Sequence, residues 1–244
     1  MITFRDVAIS YKNSAPVLQN LSFEIAKGEQ VGLVGANGTG KSTLMRAAVG
    51  LLSAEGTISV GGTAVSQKNL AEIRKRIGYV VQDSDNQLFM STVLEDMIFG
   101  PMNYGMSKEE AVSESESVLE RLGISKIKDR YNHTLSGGEK KLAALAVILA
   151  MKPDTLLLDE PSAALDPYNR RQLISELNSL PMTKLVASHD LDFILETCDR
   201  VILLGEKGIV ADGPAGEILR DEELLLANHL ELPLCMQGLP AKLR

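Results

Sequence analysis

The chain has 244 residues, enough for one large α/β domain with a sizeable core. Apolar residues make up 45% and charged residues 23%, which excludes an intrinsically disordered chain. A formal net charge of -7 speaks against wrapping a nucleic-acid backbone, so no nucleic-acid partner is expected.

Two cysteines, Cys198 and Cys235, lie far apart and lack C-x-x-C spacing, so neither a disulfide framework nor a zinc site is expected. His133, His189 and His229 are too scattered for a metal cage. The opening Met1-Ile2-Thr3-Phe4-Arg5-Asp6 has no basic and then apolar stretch, so no signal peptide is expected. The longest apolar run, Leu142 to Met151, is ten residues, short of the roughly 18 that span a bilayer.

In chain order, residues 2–11 alternate as a strand does, Asn13-Ser14-Ala15-Pro16 reads as a turn, and Val17 to Ile25 as a second strand. Apolar Gln30–Val34 leads into Gly35-Ala36-Asn37-Gly38-Thr39-Gly40-Lys41-Ser42-Thr43, and Leu44–Val49 continues as a helix. A short strand is expected over 56–62, a short helix over Leu70–Arg76 and a buried strand over 77–81, ending at Gln82. From Asp83 to about Ala150 the pattern is helical. Ser91-Thr92 opens one helix, Ser107-Lys108-Glu109-Glu110 is a capping box for another ended by Gly123, and a third begins at Ser136. Then come a buried strand at 155–158, a helix from Asn169 to Leu180, a strand at 184–187 and a helix from Asp192 to Cys198. A hairpin is expected over 200–213 and a helical tail from Glu217 onward.

Three stretches carry chemistry. The first, G-x-x-x-x-G-K-[ST] over Gly35–Ser42, sits between a strand and a helix, the setting of a phosphate-binding loop. Its glycines permit tight turns that aim backbone N–H groups at phosphate oxygens, and the helix terminus adds partial positive charge. Lys41 is placed for the β- and γ-phosphates and the Ser42 hydroxyl for Mg²⁺. The second is Leu156-Leu157-Leu158-Asp159-Glu160-Pro161, an apolar strand that delivers two carboxylates to the ligand edge of a parallel sheet. Asp159 fits the orientation of Mg²⁺, and Glu160 a general base or water-positioning role. Taken alone, this stretch is equally an acidic helix cap. The third is Leu135-Ser136-Gly137-Gly138-Glu139 before a helix, a second anion-binding geometry or simply a capped helix start.

Taken together, these stretches resemble the nucleotide-binding subunit of an ABC (ATP-binding cassette) transporter over about residues 1–216. The resemblance implies a P-loop NTPase (RecA-like) α/β core with an antiparallel β subdomain, a helical subdomain at about 84–150 and a C-terminal tail over 217–244. It makes Gly35–Ser42 the Walker A loop, Leu156–Asp159 the Walker B strand with catalytic Glu160, and Leu135–Glu139 the signature. Gln82 matches the Q-loop, Ser162-Ala163-Ala164-Leu165-Asp166 the D-loop, His189 the switch histidine and Tyr11 the aromatic that stacks on adenine.

The site implied is therefore catalytic Glu160, His189 and Gln82; ATP contacts from Tyr11, Gly35, Asn37, Gly38, Gly40, Lys41, Ser42, Thr43, Ser136, Gly137, Gly138 and Asp166; and Mg²⁺ contacts from Ser42, Gln82 and Asp159. The chain departs from the family pattern at Glu139, where glutamine is usual, at Leu142, where Arg or Lys is common, and at Ser162 and Ala164, where Thr and Gly are common.

A narrower likeness, to energy-coupling factor (ECF) transporter ATPases, lies in Gln82–Phe89, Thr92–Pro101 and Ser107–Glu110. Ser188–Asp192 and Leu230–Leu234 are similar to the cobalt and nickel uptake members. The resemblance implies ATP and Mg²⁺ as cofactors and a second ATPase subunit, identical or paralogous, facing this one head to tail. It also implies integral membrane transport subunits as partners and a peripheral position on the cytoplasmic face of the cell membrane. The alternatives are an ECF ATPase for a vitamin or other substrate, a soluble cassette ATPase of the Fe–S assembly type, and a P-loop kinase. Apolar Leu88 and Phe89 in a polar loop are a candidate docking contact for the membrane partner, or else simply pack inside.

Overall fold

The computed structural model describes residues 1–12 and 14–237. Asn13 of the expected turn and residues 238–244 of the expected tail lie outside the described residues. In chain order come β1 (Ile2–Ser10), β2 (Pro16–Ile25), β3 (Gln30–Val34), α1 (Lys41–Ala48), β4 (Ala54–Val60), β5 (Thr63–Ala64), α2 (Leu70–Arg76) and β6 (Ile77–Val80). The helical block follows, with α3 (Val93–Asn103), α4 (Lys108–Arg121) and α5 (Gly137–Leu149). The chain then runs through β7 (Thr155–Asp159), α6 (Pro167–Ser179), β8 (Thr183–Ala187), α7 (Leu191–Thr197), β9 (Arg200–Leu204), β10 (Ile209–Pro214), α8 (Ala215–Ile218) and α9 (Glu222–Ala227).

The strands form two sheets. One is antiparallel, in the order β2-β1-β4-β5; the other runs β10-β9-β3-β8-β7-β6, parallel except for β10. Strands of the parallel sheet are covered on both faces, which explains their unbroken apolar runs. Their period of two divides the core. Leu157, Leu185 and Ile202 join a cluster with β1, β2 and α1, where Phe4 stacks on Phe23 at 4.4 Å. Leu156, Leu158 and Val186 face the opposite cluster, which holds Val93, Met97, Val118 and Leu142 of the helical block. Both covers therefore pack on one sheet, which carries β3, β6 and β7 side by side with β8.

The helix starts follow capping chemistry. Thr92 with Glu95, Ser107 with Glu110, and Ser136 with Glu139 each form a reciprocal capping box. Of the expected Ser91-Thr92 opening, Thr92 is the cap. The α6 helix begins at Pro167 rather than Asn169, because Asp166 caps it and proline is preorganised at the first helical position. The helical tail expected from Glu217 consists, among the described residues, of the end of α8, α9 and a 3-10 turn at Leu234–Met236, with Asp221 capping α9 and Pro233 preceding the turn. Lys184 has no exposed surface, and its ammonium donates to the carbonyl oxygens of Leu177 (2.5 Å) and Leu180 (2.6 Å), sealing the α6 C-terminus.

Candidate active site

The phosphate-binding loop joins β3 to α1. Gly40, at φ 98°, is the α1 N-cap in the left-handed region that only glycine enters freely. Gly35 passes so close to β9 that an added Cβ would lie 2.5 Å from the Leu204 carbonyl oxygen. Lys41 is folded back on the loop, donating to the carbonyl oxygens of Gly35 (2.6 Å) and Ala36 (3.1 Å). Burial pushes its ammonium below the ordinary lysine range, while Glu160 and Asp159 pull it back up.

A cleft of about 360 Å³ opens over this loop, within the size range of small-molecule sites. It is lined by Tyr11, Val17, Asn37, Gly38, Gly40, Lys41, Ser42, Thr43, Gln82, Asp159 and Glu160. Residues from five separate stretches, the end of β1, β2, the loop with the start of α1, the end of β6 and the end of β7, thus converge. Tyr11 follows β1, and its phenol oxygen is 3.0 Å from the Thr43 hydroxyl, which sets its ring at the cleft mouth. Ser42, Gln82 and Asp159 offer a hydroxyl, an amide and a carboxylate at one cleft. Such hard oxygen donors suit Mg²⁺, so the residues present fit the ion.

Glu160 has φ 50°, a strained backbone for a non-glycine residue, held by a bond from its N–H to the Ala187 carbonyl oxygen (2.8 Å). Its Oε2 accepts from Ser188 Oγ (3.1 Å) and lies 2.8 Å from His189 Nδ1. The histidine ring is mostly exposed, and Glu160 is buried. An exposed imidazole thus meets a buried carboxylate, an arrangement suited to holding a water and moving its proton. On the other side, the Tyr79 hydroxyl donates to Asp159 Oδ2 at 3.2 Å, and burial followed by the Asp159 charge raises the phenol above its ordinary range.

The remaining sites named from the sequence lie elsewhere. Ser136, Gly137, Gly138 and Asp166 are not among the cleft-lining residues. Ser136 and Gly137 are exposed, and Glu139 accepts both the Ser136 N–H (2.9 Å) and its hydroxyl (3.0 Å). Those bonds hold the Glu139 carboxyl below the usual range, and Arg130 pairs with it at 2.8 Å. The glutamate in the glutamine position is therefore a capping-box residue. Asp166 accepts from the Tyr168 and Asn169 N–H groups as the α6 cap, and is exposed. Leu88 and Phe89 part ways: Leu88 joins the helical core, whereas Phe89 is 64% exposed and meets Phe99 edge-on at 5.1 Å.

Sequence reading missed several supports. Tyr79 and Lys141 touch Asp159 and Ser188 touches Glu160, and Gln87 braces the segment after β6 by accepting the Val81 N–H (3.2 Å) and donating to the Ala144 carbonyl oxygen (2.7 Å). Lys141 had a detectable signal. It shares a helical face with Leu145 and Leu149, and a lysine in an apolar stripe needs a partner. Tyr79 had none, since a tyrosine in a buried strand is ordinary.

A family model described as ABC transporter matches residues 18–163. A putative ABC transporter ATP-binding protein of Geobacter sulfurreducens is 43% identical over 241 residues, covering 98% of this chain and 97% of that one. The energy-coupling factor transporter ATP-binding protein EcfA of Methanothermobacter thermautotrophicus is 41% identical, covering 96% and 77%. Among solved structures, CbiO1 of Clostridium perfringens, part of the ABC transporter complex cbiONQ, superposes with TM-score 0.80 at 33% identity over 93% of each chain. A dimeric ATP-binding cassette bound to ADP and Pi gives 0.81 at 26% identity, over 88% of this chain and 99% of that one. The cleft, its loop and these likenesses agree: the chain belongs to the ATP-binding proteins of ABC transporters, which are ATPases coupled to transport.

Proposed function

We propose that the chain is the ATPase subunit of an ECF-type importer that takes up cobalt or nickel ions, and that it works as a dimer on integral membrane subunits at the cytoplasmic face. The observation that carries the dimer is the divided site. The cleft gathers Lys41, Ser42, Gln82, Asp159 and Glu160, while Ser136-Gly137-Gly138 presents a helix N-terminus outside it. To be hydrolysed, a nucleotide held in the cleft needs that second anion-binding terminus from another copy or a paralogue. The solved dimeric cassette with ADP and Pi supports this arrangement, and the cobalt or nickel reading draws on the likeness to CbiO1 of the cbiONQ complex.

In this reading Tyr11 stacks on the adenine, Asn37, Gly38, Gly40 and Thr43 bind phosphate oxygens, and Lys41 leaves its loop carbonyls for the β- and γ-phosphates. Ser42, Gln82 and Asp159 hold Mg²⁺, which when bound neutralises phosphate charge. Glu160 positions the attacking water, with Ser188 and His189 fixing its carboxylate. Ser136 and Gly138 of the facing subunit complete the charge neutralisation, and Asp166 lies beside them at that interface.

No helix among the described residues is long and apolar enough to cross a membrane, so transport needs a membrane partner. Phe89, with Phe99 and Met102 on the exposed side of α3, offers an apolar patch for it. The reading is tested by reconstituting the chain with its co-purified membrane subunits in vesicles. ATP-dependent uptake of Co²⁺ or Ni²⁺, lost in Glu160→Gln, is the expected result. ATP hydrolysis with uptake of neither ion removes the metal assignment. A soluble scaffold in place of any membrane subunit in the purified complex removes the importer.

A further inference from the structure

Beyond the last rung of the β6–β7 ladder, the Val80–Leu158 pair, the two strands part. Strand β7 keeps its other neighbour, Asp159 pairing with Ala187, while β6 peels away as Val81-Gln82 into the Q-loop. Carbonyl groups at such a fork lose their ladder partners, and unpaired buried carbonyls are costly. The ammonium of Lys141 stands in the fork. Its Nζ lies 2.9 Å from the Gln82 carbonyl oxygen and 3.4 Å from those of Val81 and Asp159, three acceptors for three donors. The residue is 4% exposed. Among the described residues it has no carboxylate within ion-pair distance.

We propose that Lys141 is a positioning residue for ATP hydrolysis: its ammonium replaces the missing rung between β6 and β7 and thereby fixes Gln82 and Asp159 relative to each other across the cleft. This rests on the ATPase reading of that cleft. Both side chains reach the cleft from the two backbone units whose carbonyls Lys141 holds. The lysine also sits five residues after Ser136 on α5, so the helix carrying the signature is bonded directly to the hydrolysis site.

Stability is expected to change too, because removing the ammonium leaves three carbonyl oxygens, buried or part-buried, without this donor. A prop and a positioning residue therefore differ in the Mg²⁺ response rather than in melting temperature. The full-length chain, in complex with its membrane subunits, is compared as wild type, Lys141→Met and Lys141→Gln. The readings are kcat, KM for ATP, the Mg²⁺ concentration for half-maximal rate, and melting temperature.

Displacements of about 1 Å in a catalytic constellation cost up to about 10²-fold, so Lys141→Met is expected to lower kcat roughly 10–100-fold. The Mg²⁺ requirement is expected to rise several-fold, with KM for ATP nearly constant and the melting temperature lowered by a few degrees as the three carbonyls lose their donor. Lys141→Gln keeps a donor for the Gln82 carbonyl and is expected to restore much of kcat and the Mg²⁺ response. The proposal is overturned if Lys141→Met turns over like wild type with an unchanged Mg²⁺ requirement. It is equally overturned if the rate falls with the melting temperature while the Mg²⁺ requirement stays at the wild-type value. A wild-type complex that does not hydrolyse ATP would instead sink the reading of the cleft itself, so the two failures are separable.

Discussion

Around Lys41 the chain supplies its own surroundings. The ammonium is buried and bonded within the loop, Asp159 and Glu160 are buried behind it, and Tyr11, Gln82 and Thr43 close the walls. Around Ser136 it supplies only one side. Ser136 and Gly137 face solvent, and the serine hydroxyl is turned onto Glu139 of its own helix. The two regions share the same elementary device, a helix N-terminus preceded by glycine or serine. They differ in how much protein is built around it. A site with walls binds by itself, whereas a bare terminus waits for a surface carrying the rest. That difference is why the fold reads as half of a pair.

The sharpest way to break the walled side is Glu160→Gln. Hydrolysis in the complex is expected to fall about 10²–10⁴-fold, while nucleotide binding, followed by fluorescent ATP titration, stays close to wild type. Normal turnover would remove Glu160 from its role. Mixing variants sharpens the contrast between the regions. Lys41→Ala and Ser136→Ala are each expected to be at least about 10-fold slower alone. If the dimer is of identical chains, an equal mixture forms some dimers with one intact composite site. Hydrolysis then recovers toward about a quarter of wild type, from half the dimers and one site in each. Additive rates with no recovery would mean that one chain carries a whole site.

Next is Tyr11→Ala, which removes a base-stacking face worth about 1–3 kcal/mol and is expected to raise KM for ATP roughly 10-fold with little change in kcat. Tyr11→Phe, which keeps the ring face and loses the hydroxyl that meets Thr43, is expected to cost about 1 kcal/mol or less. Equal KM values for Ala and wild type would leave Tyr11 as a packing residue. The smallest effect is conformational. Ala164, beside the signature helix, has φ 66°, and an alanine there bears about 1–2 kcal/mol of strain that glycine relieves, partly offset by the freer unfolded chain. Ala164→Gly is expected to raise the melting temperature by about 2–4 °C. A lower value would show that the strain is not released.

The phosphate loop was legible in the chain itself. Gly35–Thr43 declares its chemistry through local spacing, because a phosphate loop depends on a few consecutive residues, whereas Asp159-Glu160 was equally an acidic cap when taken alone and Gln82 drew its role only from the family resemblance. The capping box at Ser107 was legible for the same reason, since N-cap and N3 lie three residues apart. The signature offered an ambiguous sign, as Ser-Gly-Gly caps a helix whether or not a ligand follows. Only the tertiary structure decided what stands behind the site. Tyr79 reaches Asp159 across two strands, Ser188 and His189 meet Glu160 from the next strand along, and Lys141 enters the β6–β7 fork from a helix nearly twenty residues upstream of Asp159. It likewise separated Leu88 from Phe89, adjacent in sequence and opposite in burial. Such partners are set by sheet order and by which face of a helix turns inward, and those depend on the packing of the whole chain.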